Sequence, residues 1–470
     1  MICTTPTNRY FETQSSFLGI AGKADIAYLC TRFQTMTNMT VNKMNTILMG
    51  ALLALPATTA LAQDDNSTQQ RLSLGGYGEA VMSRNFYSDH FNRYQFPEKY
   101  KDDGSHGRFD LPHVTLNMGY DFGHGWSMGM EIEFEHGGTE SAVEVDADES
   151  GEYEAEVEKG GEVALEQFWI QKSFAPQINL RAGEIVVPVG MTNQYHMPTE
   201  YFTVYRPEGE NSILPCTWHQ TGVSLWGRQR AWRYELQFLA GLDSERFGAS
   251  SFVHYGANSI YEFKMANSYA GALRIDNYSL PGLRLSLSGY YGHTFNNTQR
   301  AHSAERYKNC TGALAIGSFD FMLRRWNLIL RGNIDYAHLA GAELITTFNN
   351  SFPKHSSQDG SPSKRQPVGS NALAYSLEAG YNILPLLTDK ARAGQKLYLF
   401  GRYEYYNPME SSVYKTTYEW CQKKIWTAGV NYYPTSQIVI KGEYNHRGFS
   451  SHYNAEPAVN IGVAFAGWLL

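Results

Sequence analysis

A strict alternation of apolar and polar residues runs from Trp126 to Glu135. One set of alternate positions is wholly apolar, and the other includes Glu131, Glu133 and Glu135. A period of two predicts a β-strand with one apolar and one polar face. A soluble sandwich would turn the glutamates toward solvent, whereas a membrane barrel would turn them toward an aqueous interior and present the apolar row to lipid. One strand alone does not separate these interpretations.

The same alternation recurs along the chain, with connections that are alternately short and long. Short connections are expected at 123–125, 175–177, 227–231, 280–282, 323–325 and 434–436. The predicted strands are 71–82, 109–122, 126–136, 162–174, 178–187, 217–226, 232–242, 265–279, 283–293, 310–322, 326–338, 371–383, 396–406, 419–433, 437–446 and 457–469. Tight turns that alternate with long loops are typical of bacterial outer-membrane barrels. We therefore predict an all-β fold, a transmembrane up-and-down antiparallel β-barrel of about 16 strands.

The N-terminal part of the chain predicts a secretory leader. From Met39 a short basic segment precedes an apolar run, and the small-residue site Ala60-Leu61-Ala62 precedes Gln63. This order is that of a signal peptide. We therefore expect three parts: a non-native upstream extension at 1–38, a signal peptide at 39–62 that is cleaved near Ala62-Gln63, and an outer-membrane barrel with long extracellular loops at 63–470.

Composition narrows the functional classes. The formal net charge is −7, and no basic surface for nucleic acid is evident. The 32 tyrosines and 43 glycines suit a membrane barrel, but they also suit a secreted sandwich that binds glycans. Beyond the leader only Cys216, Cys310 and Cys421 remain, without the spacing of a disulfide framework or a metal site. Motifs typical of enzymes are also missing from the sequence, so we expect no catalytic residues, no cofactor and no metal.

One segment carries a more specific pattern. Between Leu180 and Gly227, a strand with R-x-G is followed by P-x-G, a long loop with Arg206-Pro207, and a return strand with T-G-V-x-L-x-G. This order resembles the phosphate-selective porin O and P family of Gram-negative outer membranes, and both chain ends of the expected barrel are similar to it. The resemblance implies a sixteen-stranded, homotrimeric outer-membrane channel. Phosphate selectivity is not expected, because the chain has no run of basic residues.

The resemblance also implies that the loop at about 188–216 folds inward and narrows the channel. Arg206 is the first candidate for a contact with solute, because a guanidinium can hold an oxyanion through two hydrogen bonds. Alternatively, Arg206 pairs with Glu208 or Glu210 and only fixes the loop. The candidate constriction residues are His196, Tyr201, Tyr205, Arg206, Glu208 and Glu210.

The predicted strands place charges of both signs toward the lumen. Rings of one sign set the ion preference of a pore, but this mixture favours neither sign. We expect a porin, surrounded by outer-membrane lipids, that passes small hydrophilic solutes or ions by passive diffusion. The main alternative is a non-conducting barrel that acts as a surface adhesin or scaffold. The predicted lumen charges are Arg181, Arg233, Arg284, Arg331, Arg402, Lys441, Glu131, Glu133, Glu135, Glu235, Asp335, Glu404 and Glu443.

Overall fold

The structure is a computed structural model that describes the chain from Arg71 to Leu470. Not described within that span are residues 91, 105–106, 139–140, 148–152, 160, 259–262, 298–310, 351–366, 391, 393, 413–417 and 450–451. The predicted extension at 1–38 and signal peptide at 39–62 lie outside the described residues and stay predictions. In the described part of the chain, no helix has the length and apolar character needed to cross a membrane.

The architecture is one antiparallel sheet that closes on itself. Its strands are β1 (Leu72–Asn85), β2 (Gly107–Asp110), β3 (His113–Gly123), β4 (Trp126–Glu135), β7 (Glu162–Ala175), β8 (Ile178–Val186), β9 (His219–Gln229), β10 (Trp232–Ala240), β11 (Tyr269–Asn277), β12 (Leu283–His293), β13 (Ala313–Arg325), β14 (Leu328–Leu339), β15 (Asn371–Asn382), β16 (Lys396–Ser411), β17 (Lys423–Tyr433), β18 (Ile438–Gly448) and β19 (Glu456–Trp468). Pairing of β1 with β19, from Gly75–Trp468 to Asn85–Ala458, closes the barrel. A separate hairpin, β5 (Ser141–Ala147) and β6 (Tyr153–Lys159), lies in the chain between β4 and β7.

The barrel wall has sixteen strand positions, because β2 and β3 together occupy one of them. Both strands pair with β1, β2 with its C-terminal half and β3 with its N-terminal half. The break falls at Leu111-Pro112, and proline has no backbone N–H to donate to the ladder. The predicted fold class and strand number are therefore confirmed.

The apolar faces of the strands point out of the barrel. In β4, Glu131 and Glu133 are each 2% exposed, whereas Trp126 is 47% exposed. Exposed aromatic side chains also gather toward the two ends of the strands, as in the interfacial girdles of membrane barrels. Those near the short turns include Phe122, Trp126, Phe174, Trp232, Trp326 and Tyr381, and those near the long loops include Phe134, Tyr269, Tyr291, Tyr336 and Trp426.

Connections alternate in length round most of the barrel, as predicted; the exception is 383–395, between β15 and β16, which lies on the side of the short turns but contains a short helix, Leu384–Leu387. The long loops are 86–106, 136–161, 187–218, 241–268, 294–312, 340–370, 412–422 and 449–455. One short turn was misplaced: residues 323–325 belong to β13, and the turn is Trp326-Asn327, where both residues have a positive φ (52° and 63°). A two-residue turn of this type matches the twist of the flanking strands.

Short helices occur only outside the strands of the described barrel. The helices are α1 (Glu208–Ile213), α2 (Ala342–Asn350) and α3 (Leu384–Leu387), and 3-10 turns lie at Pro97–Lys99, Ser244–Arg246, His254–Ala257, Phe295–Asn297 and Glu419–Cys421. Cys216 and Cys421 are both free thiols. Cys310 lies outside the described residues.

Candidate pore constriction

The loop between β8 and β9, residues 187–218, lies inside the barrel, and we call it the inward loop. It leaves and re-enters the wall at one point, because Val186 and His219 are paired neighbours on β8 and β9. Its apolar side chains are fully buried against inward side chains of the wall from β7 to β17. These loop side chains are Val187, Val189, Ile213, Leu214 and Trp218.

Hydrogen bonds fix the first half of the inward loop to β11 and β12. The Gly190 carbonyl accepts from the Arg274 guanidinium (2.9 Å), and the Gly190 N–H donates to the Ser288 hydroxyl (3.1 Å). The ring of Tyr195 lies under the guanidinium of Arg284, 3.8 Å from its centre. A cation over an aromatic face in a desolvated site is worth about 2 kcal/mol.

The second half of the inward loop is held by β16, β17 and β18. Lys441 donates to the carbonyls of Tyr201 (3.1 Å) and Thr203 (2.7 Å). Glu443 accepts from the N–H of Val204 at 2.8 Å, and Asn431 donates to the carbonyl of Phe202 at 2.9 Å. Polar side chains of the wall thus satisfy backbone groups that would otherwise be buried without a partner.

Glu208 and Glu210 anchor α1, one from each side. Glu210 accepts from the N–H groups of Met191 (3.0 Å) and Thr192 (2.8 Å) and from Asn333 (3.1 Å). Glu208 pairs with Arg447. Burial alone raises the pKa of Glu208, but Arg447 and Lys423 outweigh it and lower that pKa to about 2.

Arg206 contacts the barrel wall rather than its neighbours in the loop. Its guanidinium donates to Glu133 (3.2 Å), to the Tyr77 hydroxyl (3.1 Å) and to the Thr217 hydroxyl (3.1 Å). The alternative prediction, that Arg206 pairs with Glu208 or Glu210, named the wrong partners. Arg206 instead fastens the inward loop to β1 and β4.

The remaining candidate residues of the loop face the same wall. His196 is buried, with its ring edge against Tyr77 at a centroid distance of 5.8 Å. Burial, aided by nearby Arg206, lowers the pKa of His196 to about 3, so the ring is neutral at physiological pH. The hydroxyl of Tyr201 donates to Glu79 (3.4 Å), whereas Tyr205 is half-buried.

From β10 to β18 most of the inward charges pair with one another, and we call this wall the paired side; Lys441 and Glu443 bond to the inward loop instead. Arg274 contacts Asp276 (2.8 Å) and Asp320 (2.9 Å), and Arg284 contacts Asp320 (2.6 Å). Arg233 bridges Asp276 and Glu235 in the same network.

A second network on the paired side joins three further strands. Glu378 on β15 pairs with Arg331 on β14 (2.6 Å) and with Arg402 on β16 (3.3 Å). Arg402 also pairs with Glu404 at 2.9 Å. Asp335 lies on the same wall, fully buried, and accepts from Asn333.

The wall formed by β1, β3, β4 and β7 carries mainly carboxylates, and we call it the acidic side. Glu133 pairs with Arg206, and the imidazole of His113 lies 2.8 Å from it. On the far edge, the Arg181 guanidinium stacks over Trp169 at 4.5 Å. The carboxylates of this side are Glu79, Glu131, Glu133, Glu135 and Glu166.

Several buried polar atoms of the acidic side have no hydrogen-bond partner among the described residues. A polar group buried dry costs about 1–3 kcal/mol, and buried water normally satisfies such groups. These atoms are Glu79 Oε1, Asn117 Oδ1, Ser127 Oγ, Glu131 Oε1, Glu166 Oε2 and Arg206 Nε. Unpartnered buried atoms also occur on the paired side, among them Asp335 Oδ1, Arg331 Nη2 and Arg402 Nε. What distinguishes the acidic side is its charge, since its carboxylates face one guanidinium of the inward loop, that of Arg206, and we infer a hydrated strip between this wall and the inward loop.

The structure places all thirteen predicted lumen charges on the inner side of the barrel, although their role in permeation stays a prediction. Sequence reasoning missed Arg274, Asp276 and Asp320. A signal was present, because Arg274 and Asp276 alternate with Leu273 and Ile275 in β11. It also missed Glu79 and Glu166, which lie on the acidic side.

Comparisons with known proteins add a fold likeness and one relative. No family model matches the chain. An uncharacterized protein of Aquifex aeolicus (strain VF5) is 26% identical over 382 residues, which cover 79% of this chain and 75% of that protein.

Among solved structures, the likeness is to outer-membrane barrels at low identity. A loop-deletion mutant of OmpT from Vibrio cholerae is 10% identical, covering 85% of this chain and 100% of that one, with a TM-score of 0.45. An anion-selective porin from Comamonas acidovorans is 11% identical, with coverages of 85% and 99% and a TM-score of 0.42. The outer-membrane channel DcaP of Acinetobacter baumannii is 9% identical, with coverages of 84% and 97% and a TM-score of 0.44. The barrel fold of the present chain rests on its own strand pairing.

Proposed function

We propose that the protein is a narrow porin of a Gram-negative outer membrane. Small hydrophilic solutes or ions would diffuse along the acidic side, between that wall and the inward loop. The outward apolar face with two aromatic girdles supports the membrane location. A barrel of sixteen strands is too wide for the side chains of its wall alone to fill, so the inward loop would determine the width of the channel. A diffusion channel needs neither catalytic residues nor a cofactor.

The observation that carries the proposal is the difference between the two walls. On the paired side, arginines and carboxylates are bonded to one another and to the inward loop. Solute passing there would have to break buried ion pairs, which are costly to separate. On the acidic side, Glu131 and Glu166 form no ion pair among the described residues, so water can reach their unpartnered oxygens without separating an ion pair, and water is the medium through which a hydrophilic solute moves.

The charge of the strip predicts a preference for cations. Glu131, Glu133, Glu135 and Glu166 face a single guanidinium from the inward loop, that of Arg206. Excess charge of one sign along a pore attracts ions of the opposite sign. Arg206 keeps an unpartnered Nε atom at this strip, which is the atom it could offer to a passing solute.

Conductance in a planar bilayer with a KCl gradient tests the proposal. With chelator present, the mature protein should give stepwise openings with a reversal potential on the cation-selective side. The E131Q/E166Q variant should lose much of that preference, whereas the control E184Q, on β8 outside the acidic side, should keep it. Openings grouped in threes would support the homotrimer that the resemblance implies. Anion selectivity would contradict the proposed route.

A second candidate function is a non-conducting barrel that serves as a scaffold or adhesin. It is favoured by the burial of nearly all inward charges, among them Arg274, Asp320 and Glu378, which are fully buried. A protein that inserts as a folded barrel, shown by heat-modifiable electrophoretic mobility, yet never conducts would establish this candidate and exclude the porin.

A further inference from the structure

Three potential metal ligands meet where the inward loop touches the acidic side. They are Glu131 on β4, Glu166 on β7 and His196 on the inward loop. Their candidate ligand atoms all lie within 4.8 Å of one another, and none of the three residues is more than 4% exposed. Three elements far apart in sequence therefore converge on one buried point.

A β-bulge brings the two carboxylates together. Glu131 pairs with Gln167 and Ile132 with Leu165, so Glu166 is an extra residue in β7 that has no partner in the register. Both Glu166 and Gln167 are buried as a result. Bulges commonly redirect a side chain at functional sites, and here the bulge places Glu166 beside Glu131.

The two carboxylates have free oxygens and no nearby cation of their own. Glu131 Oε1 and Glu166 Oε2 lack any hydrogen-bond partner among the described residues, although both side chains are 98% buried. The nearest guanidinium, that of Arg206, is bonded to Glu133. Burying charge without a counter-charge is strongly unfavourable, so the site favours either a proton on the carboxylates or a bound cation.

His196 is prepared as a nitrogen ligand. Its Nδ1 lies 3.2 Å from the Asn193 carbonyl, and because a carbonyl can only accept, Nδ1 carries the proton and Nε2 keeps its lone pair. Metal-bound histidines commonly donate their second nitrogen to a backbone carbonyl in this way. Gln167 likewise orients Glu131 by donating to its other oxygen, Oε2.

We propose that Glu131, Glu166 and His196 bind one divalent transition-metal ion of the zinc class. One imidazole with two carboxylates is a donor set that Zn²⁺ accepts, with further positions open to water. The ion neutralises the two carboxylates and ties the inward loop to the wall. The site does not depend on whether the barrel conducts. The nearby group of His113, Glu133 and Glu135 is less suited, because Arg206 already occupies Glu133.

Calorimetric titration of the chelator-treated, detergent-folded mature protein with Zn²⁺ tests the proposal. We expect saturable binding of one ion per chain. E166Q and H196N should each weaken binding by more than tenfold, since changing even an outer-shell partner costs about 10–100-fold. The Q167L variant should weaken zinc binding by about 10–100-fold, because Gln167 orients the ligand Glu131. The matched control is E184Q/H219N, which removes a Glu–His pair (2.7 Å apart) that already has a cation, Lys264, at 3.0 Å.

X-ray absorption of the zinc-loaded wild-type protein provides a test that needs no variant. It should show nitrogen and oxygen ligands at about 2.0–2.2 Å and no sulfur. Absence of saturable binding would overturn the proposal. A proton shared by the two carboxylates would then neutralise the site instead. Binding that E166Q and H196N leave unchanged, while both keep heat-modifiable mobility, would overturn it as well.

Discussion

The paired side and the acidic side belong to one barrel, but their inward charges have different partners. On the paired side, each of the buried guanidiniums of Arg274, Arg331 and Arg402 contacts a carboxylate. On the acidic side, Glu131 and Glu166 are similarly buried but form no ion pair with any described residue. The first arrangement holds the inward loop in place, and the second leaves room for water or a cation. Arg206 also fastens the inward loop to the acidic side, and we propose that solutes pass beside this contact.

Replacing residues 188–217 with a short turn should have the largest effect. Val186 and His219 are paired neighbours, so a turn of about two to four residues can join β8 to β9. Because we propose that the inward loop narrows the lumen, we expect single-channel conductance to rise severalfold and the cation preference to fall. Shortening the similarly long connection between β4 and β7 at 140–159 is the length control, and it should leave conductance unchanged. Equal conductance in the loop variant would show that the bore is set elsewhere.

Single substitutions on the two walls should have different effects on the free energy of unfolding. R331M leaves Glu378 short of a partner, and removing one member of a buried ion pair costs about 3–5 kcal/mol. E131Q removes a carboxylate that has no ion-pair partner, so with chelator present we expect unchanged or increased stability. The measurement is guanidinium unfolding in detergent. Similar destabilisation by both variants would remove the distinction between the walls.

The contribution of Glu208 should depend on pH. Because its folded-state pKa is lowered to about 2, from an unfolded value of about 4.3, the stabilisation is complete above the unfolded pKa and is lost as pH falls through the folded one. The difference in melting temperature between wild type and E208Q should be constant above about pH 5 and shrink between pH 4.5 and 2. A constant difference at all pH values would contradict the pairing with Arg447.

The smallest effect is expected at the rim of the acidic side. Glu135 is half-buried, with 33% of its side chain exposed, so its field is weakened by water and screened by salt. E135Q should reduce the cation preference slightly at about 0.1 M salt, and at about 1 M the difference should vanish. A shift as large as that of E131Q/E166Q would place the selective region at the rim instead of the strip.

The barrel was predictable from the sequence because its signals are local. The period of two, the sixteen segments and the rhythm of short and long connections are set by neighbours in the chain, and the structure keeps them. The turn predicted at 323–325 was misplaced by only a few residues, and it was missed because Trp326 is an unusual residue at positive φ, although Asn327 is a common one.

The candidate site was less predictable because its pairings are made across the barrel. Arg206 bonds to Glu133, which lies 73 residues away, and not to the glutamates beside it. Glu166 escaped notice because the bulge in β7 interrupts the alternation that would have marked it as inward. Which wall a loop touches depends on closure of the whole barrel, and no local pattern encodes that.

The most direct test of the account is cysteine accessibility at one matched position on each wall. Asn117 on β3 and Asn333 on β14 lie near mid-strand, and Asn333 donates to Glu210 whereas Asn117 Oδ1 has no partner. In a background with Cys216, Cys310 and Cys421 replaced by serine, N117C and N333C would be exposed to a cationic methanethiosulfonate during conductance recording. A route along the acidic side predicts that N117C reacts rapidly and its current falls, while N333C stays unreactive. Faster reaction at N333C than at N117C would contradict a route along the acidic side.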